Sequence, residues 1–166
     1  MKIGMIGLGR MGLNMARRLA KGGIEVVAYN RTVQKAKDFA TEEGATASAA
    51  ETLAALVAAL PAPRVVWLML PAGAPTDEHI EELLPLLAPG DTIVDGGNTM
   101  YRDDLRRHEI AGKRGIRYCD AGVSGGIWGL AEGYCIMIGG EPEVVAPIKP
   151  ALDVLTGPGG NLHTGP

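Results

Sequence analysis

The residues best placed to do chemistry are glycines, because of where they fall. Ile6-Gly7-Leu8-Gly9-Arg10-Met11-Gly12 follows the apolar run Lys2–Ile6 and opens a helical stretch. There Gly7 permits a tight turn, Gly9 puts no side chain in front of a ligand, and Gly12 lets the helix pack closely on a sheet. Free amides at the start of the helix, aided by its dipole, attract negatively charged oxygens. The spacing therefore predicts a grip on a diphosphate bridge, with Gly7, Leu8, Gly9, Arg10, Met11 and Gly12 as its residues.

The next strand bears on which dinucleotide is held. An NAD site usually places Asp or Glu there, about 20 residues past the motif, to bond the ribose 2′-hydroxyl. Here the strand ends in Tyr29-Asn30-Arg31-Thr32, with no carboxylate. Asn30 can bond a hydroxyl, Arg31 offers a fork suited to phosphate, and Thr32 adds a hydroxyl. NADP is the expected cofactor and NAD the alternative.

Two further loops carry candidate substrate chemistry. In Asp95-Gly96-Gly97-Asn98-Thr99, the Asn98 amide could hold both nicotinamide and substrate hydroxyls. Thr99 is expected to cap the following helix, and Asp95 to organise the turn. In Gly122-Val123-Ser124-Gly125-Gly126, the Ser124 hydroxyl and the Gly125 and Gly126 amides form a nest for a carboxylate or phosphate. This is not a nucleophile elbow, since the spacing differs and no His–Asp set accompanies it. Trp128, Tyr134 and Met137 read as core and pocket wall, and Trp67 as core.

Other chemistries are disfavoured. Cys119 and Cys135 form no CxxC pair, and His79, His108 and His163 lack metal-ligand spacing, so no metal is expected. The net charge is −3 with Lys and Arg dispersed, which gives no footprint for nucleic acid. No apolar run approaches the roughly 20 residues needed to span a bilayer. The N-terminus enters the glycine motif at once, unlike a signal peptide, so a cytoplasmic location is expected.

The elements that must position these loops alternate. Strands are predicted at Lys2–Ile6, Glu25–Tyr29, Ala45–Ala47, Val65–Leu70, Thr92–Asp95, Arg117–Ala121 and Tyr134–Ile138. Helices are predicted at Met11–Lys21, Val33–Glu43, Ala49–Leu60 (with a Ser48…Glu51 capping box), Thr76–Leu87, Tyr101–Arg114 and Pro142–Leu155. After Gly157 the sequence reads as loop. With 166 residues and 46% apolar content, this predicts one α/β domain. Its expected fold is Rossmann-type: a doubly wound, mostly parallel sheet with helices on both faces.

Taken together, the Gly7–Gly12 fingerprint, Tyr29-Asn30-Arg31-Thr32, Leu70-Pro71-Ala72-Gly73, Asp95-Gly96-Gly97-Asn98-Thr99 and Gly122-Val123-Ser124-Gly125-Gly126 resemble the N-terminal domain of the 6-phosphogluconate dehydrogenases. These are the decarboxylating enzymes of the pentose phosphate pathway. The resemblance covers essentially the whole chain. Trp128-Gly129 and Tyr134 to Gly140 are similar to the short-chain branch.

The resemblance implies that Gly7 to Gly12 hold pyrophosphate, Asn30 to Thr32 the ribose end, and Leu70, Pro71 and Ala72 line the cofactor. It implies that Asn98 touches cofactor and substrate, while Ser124, Gly125 and Gly126 hold 6-phosphogluconate. One departure stands out: NADP-specific long-chain members carry Lys where this chain has Pro71. The family's reaction is hydride transfer from C3, loss of CO2, and tautomerisation to ribulose 5-phosphate. Its base lysine and acid glutamate lie in a C-terminal helical domain beyond Pro166, which also mediates homo-oligomerisation. No catalytic residue is therefore expected within residues 1–166, and this segment alone should bind without turnover. The alternatives are a β-hydroxyacid dehydrogenase, such as 3-hydroxyisobutyrate dehydrogenase, and a non-catalytic cofactor-binding module. The former family typically carries a Ser-Thr pair at Gly97-Asn98-Thr99.

Overall fold

In the computed structural model, which describes residues 1–166, the alternating segments build one eight-stranded sheet with helices on both faces. The strands are β1 (Lys2–Ile6), β2 (Glu25–Tyr29), β3 (Ala47–Ala49), β4 (Val65–Leu68), β5 (Thr92–Asp95), β6 (Arg117–Ser124), β7 (Cys135–Gly139) and β8 (Asn161–Gly165). The helices are α1 (Arg10–Lys21), α2 (Val33–Glu43), α3 (Leu53–Ala58), α4 (Ala74–Leu83), α5 (Tyr101–Gly112), α6 (Gly129–Glu132), α7 (Pro142–Val145) and α8 (Lys149–Thr156). Strand order is β3-β2-β1-β4-β5-β6-β7-β8.

β1 to β6 run parallel, β7 turns back antiparallel on β6, and β8 lies parallel to β7. The chain winds outward from β1 to β3, then crosses to place β4 on the other side of β1. That is the doubly wound arrangement expected. It gathers the carboxyl ends of β1, β2, β4, β5 and β6 along one edge, where such sheets hold ligands.

Alternation along the strands sorts the core into two layers. Ile3, Met5, Val26, Ala28, Val65, Trp67 and Val94 face α1, α2 and α8, meeting Met15, Leu19, Phe39, Leu152 and Leu155. Ile6, Val27, Val66, Leu68 and Ile93 face α3 and α4, meeting Leu53, Leu56, Ile80 and Leu83. Burial on both faces is why these strands read as unbroken apolar runs. Arg18 of α1 crosses to the far end of the chain, donating from Nε to the Val154 carbonyl at 2.9 Å and from Nη1 to Leu130 at 3.1 Å.

Several expectations need correction. The Ser48…Glu51 capping box does not form, because Ser48 is drawn into β3 by pairing with Val27. α3 starts later, capped by Thr52, whose Oγ1 accepts from the Ala55 amide at 3.0 Å. The fourth strand ends at Leu68, where the backbone leaves the sheet toward the glycine loop. The Pro142–Leu155 helix is broken into α7, a 3-10 turn at Ala146–Ile148, and α8. Pro147 and Pro150 lack the amides an unbroken helix needs. Residues after Gly157 include β8 rather than loop alone; pairing with β7 makes that strand, not an apolar pattern. Trp128 and Met137 are exposed, at 67% and 54%, while Tyr134 and Trp67 are core. No helix is long and apolar enough to cross a membrane.

Candidate functional site

The corner between β1 and α1 is closed by contacts that only glycine allows. Gly7 has φ +92°, and a Cβ there would lie 2.4 Å from the Met69 carbonyl oxygen. A Cβ on Gly12 would lie 2.0 Å from the Gly7 oxygen. Gly9 differs: it precedes α1 with φ −69°, and a Cβ on it would meet no protein atom within 4 Å. Gly12 is thus a packing requirement, and Gly9 keeps the space in front of the helix clear. The amides of Gly9, Arg10, Met11 and Gly12 donate to no backbone or side-chain acceptor, as the start of a helix leaves them. Bare amides facing a space that a side chain would fill fit a diphosphate.

Asn30 braces this corner. Its Oδ1 accepts from the Leu8 amide at 2.9 Å and its Nδ2 donates to the Thr32 carbonyl at 3.2 Å. Its side chain is therefore engaged in holding the loop, whereas the sequence suggested a hydroxyl ligand. The Leu8 side chain is buried in the core, so any contact it offers a ligand is from its backbone. Beyond Asn30 lies a cleft of about 420 Å³ bordered by Gly7, Gly9, Asn30, Arg31, Thr32, Leu70 and Pro71. Ala72 and Met11 do not border it, and Arg10 lines the neighbouring groove with Leu8 and Gly9.

Sequence reasoning missed Lys35 and His79 on the walls of this cleft. Lys35 sits four residues after Arg31 in the first turn of α2, a spacing that could have flagged it. Neither Arg31 nor Lys35 enters an ion pair, unlike Lys37, which pairs with Glu51 at 2.6 Å. His79 tilts against Tyr29 with ring centres 6.3 Å apart, and nothing in the local sequence signals that meeting.

Further along the edge, Asn98 borders a small cavity of about 70 Å³ with Asp95, Thr99, Asp104, Asp120, Ala121 and Gly122. Thr99 does not cap α5, whose N-cap position is Met100; its hydroxyl donates instead to Asp95 Oδ2 at 3.0 Å. Asp95 organises the turn as expected, accepting also from the Gly97 amide. Behind it lies a network with no sequence signal: Arg107, Asp77, Tyr118 and Asp104. Arg107 donates to Asp77 at 2.8 Å and Asp95 at 3.1 Å, and the Tyr118 hydroxyl lies 3.0 Å from Asp95 and 2.8 Å from Asp104. Burial opposes the charge of Asp77, but hydrogen bonds from Arg107 and Arg106 hold its carboxyl below the usual range.

Burial pushes the Asp104 carboxyl up to about 6; Asp95 and Asp120 add repulsion against the pull of Tyr118 and Arg107. A raised folded value means the proton is held more tightly in the folded state. The contribution is fully present below the unfolded value of about 4 and is lost as pH rises through 6. Asp104→Asn should therefore exceed the wild type in stability at pH 8 by roughly 1–2 kcal/mol, and the gap should close toward pH 4. Urea unfolding at both pH values checks this; a gap independent of pH contradicts it.

Ser124 ends β6, which runs past the level of Asp95, so its loop overhangs the same edge. Gly125 and Gly126 have φ +126° and +53°, are exposed, and donate their amides to no acceptor in the chain. These amides are open to solvent. Ser124, Gly125 and Gly126 border neither the cleft beside Arg31 nor the cavity beside Asn98. Cys119 is buried, its thiol pushed up to about 12, which leaves it inert.

Residues 2–162 match the family described as the NAD binding domain of 6-phosphogluconate dehydrogenase. The decarboxylating 6-phosphogluconate dehydrogenase of Candida albicans is 44% identical over 149 residues, covering 89% of this chain and 29% of that enzyme. The chain spans about a third of the length of the curated relatives it matches. The Plasmodium falciparum 6-phosphogluconate dehydrogenase, solved apo, with its cofactor NADP+ and with its substrate 6-phosphogluconate, superposes with TM-score 0.91 at 32% identity. That match covers 100% of this chain and 37% of the other. The 3-hydroxyisobutyrate dehydrogenase of Mycobacterium tuberculosis gives TM-score 0.87 at 27% identity, covering 99% of this chain and 54% of its own.

Proposed function

The chain belongs to the family of NAD-binding domains of 6-phosphogluconate dehydrogenase, and from that premise we propose that residues 1–166 hold the coenzyme of an enzyme that oxidatively decarboxylates 6-phosphogluconate to ribulose 5-phosphate. The observation that carries this reading is the β1–α1 corner, with its open amides and clear Gly9 face, next to two unpaired cations, Arg31 after β2 and Lys35 in α2. When bound, the nicotinamide supplies a hydride acceptor. The amides from Gly9 to Gly12 hold the diphosphate, and Arg31 with Lys35 neutralises a ribose 2′-phosphate. Asn98 orients the nicotinamide and a substrate hydroxyl, and Ser124, Gly125 and Gly126 hold the anionic end of 6-phosphogluconate. NADP is the proposed coenzyme and NAD the alternative.

Proton transfer is assigned to the lysine and glutamate that the resemblance places outside residues 1–166, and oligomerisation to the helical domain that bears them. Residues 1–166 alone then bind coenzyme without turnover. The same reading places the enzyme in the pentose phosphate pathway, in the cytoplasm.

Calorimetric titration of NADPH and NADH against wild type and Arg31→Ala tests the assignment. Losing charge-assisted bonds to phosphate weakens NADPH by about tenfold or more, and NADH by much less. Equal losses for the two coenzymes refute the phosphate contact. The likeness to 3-hydroxyisobutyrate dehydrogenase supports a second reading, in which the substrate is an unphosphorylated hydroxy acid. Competition between 6-phosphogluconate and such acids for the longer enzyme separates the two.

A further inference from the structure

Asn98 is the one residue other than glycine with positive φ, at 56°. Asparagine tolerates that conformation better than other L-residues, but the loop must still hold it there. Asp95 does so from the last position of β5. Its Oδ1 accepts from the Gly97 amide at 2.9 Å and its Oδ2 from the Thr99 hydroxyl at 3.0 Å, so one carboxylate grips the residues on either side of Asn98. The loop is also wedged against its neighbour, since a Cβ on Gly97 would lie 2.6 Å from the Leu70 carbonyl oxygen.

A carboxylate side chain only 1% exposed needs a charged partner. Arg107, equally buried, reaches it from the second turn of α5 with Nη1 at 3.1 Å. The same guanidinium donates from Nε to Asp77 of α4 at 2.8 Å and from Nη2 to the Gly73 carbonyl at 3.4 Å. Arg107 thus clasps the Asn98 loop and the start of α4 from behind. Being buried, it is not itself a ligand contact.

We infer that Arg107 and Asp95 are positioning residues: through Gly97 and Thr99 they hold Asn98 in the left-handed conformation that presents its side chain to the nicotinamide half of the coenzyme. This rests on the coenzyme reading above. A network serving stability alone would not distinguish one half of the coenzyme from the other. The Asp95–Thr99 arm of this one should, because it touches neither the β1–α1 corner nor the walls of the cleft beside Arg31.

The test compares wild type, Thr99→Val, Thr99→Ser and Arg107→Lys in titrations with NADPH and with 2′,5′-ADP, the adenosine half alone. Amide hydrogen exchange at Gly97 is measured in the free chain. Thr99→Val and Arg107→Lys should weaken NADPH by about fivefold or more, the worth of one hydrogen bond, and Thr99→Val should leave 2′,5′-ADP nearly unchanged. Gly97 exchange should accelerate in both, and Thr99→Ser should match wild type. Should Arg107→Lys fail to fold, the Thr99 pair decides. Equal weakening of both ligands by Thr99→Val, or unchanged NADPH affinity, overturns the inference. A wild-type chain that binds neither ligand defeats the coenzyme reading instead. The clasp is then judged by Gly97 exchange, and unchanged exchange in Thr99→Val overturns it.

Discussion

Gly9→Ala should leave the chain folded and remove most of its affinity for NADPH. The added methyl meets no protein atom within 4 Å, and φ −69° suits alanine. At a compatible backbone position this exchange is neutral or stabilising by up to about 1 kcal/mol, so the unfolding temperature should stay within about 3 °C. The methyl does enter the space before the free amides of α1, where a diphosphate must come close. Losing one or two charge-assisted bonds costs about 3 kcal/mol, on the order of 100-fold in Kd. Thermal unfolding beside calorimetric titration checks both halves. Unchanged affinity would mean that no ligand approaches this face.

Gly12→Ala should fail in the opposite way, by damaging the fold itself. Its Cβ would sit 2.0 Å from the Gly7 oxygen and 3.0 Å from the Met69 Cβ, and the first of these is backbone that cannot swing aside. The start of α1 would have to lift from the sheet. Overpacking of this kind costs about 3 kcal/mol, more than the roughly 1 kcal/mol of helix propensity gained. A fall of roughly 10 °C in unfolding temperature is expected. NADPH affinity falls as well, because the amides move with the helix. A melting temperature equal to that of wild type would show that the close approach is not maintained in solution.

Much of this was legible in the sequence where one local rule governed the outcome. β1, β2 and β5 occur at their expected bounds because a strand buried on both faces is an apolar run between turn residues. The glycine corner was legible because only glycine satisfies its contacts. β8 was not: its side chains are mostly exposed, and its partner is chosen by backbone pairing to β7. Ser48 gave a false helix start because a capping signal and an edge strand competed for the same residues, and pairing with β2 won. The Asn98, Ser124 and glycine loops could be named one by one. Their alignment along one edge followed from strand order, which the expected fold supplied. Arg107 could not be found at all. One of three arginines in a helix rich in charge reads as solvated, and only the folded chain brings Asp77 and Asp95 to it.

Asn30, which ties the Leu8 amide to the Thr32 carbonyl, bears on any redesign of coenzyme preference. An aspartate introduced at this position to favour NAD could still accept from Leu8 but could no longer donate to Thr32, so the exchange would slacken the turn it was meant to re-aim. Retuning is better directed at Arg31 and Lys35, which hold nothing else in place.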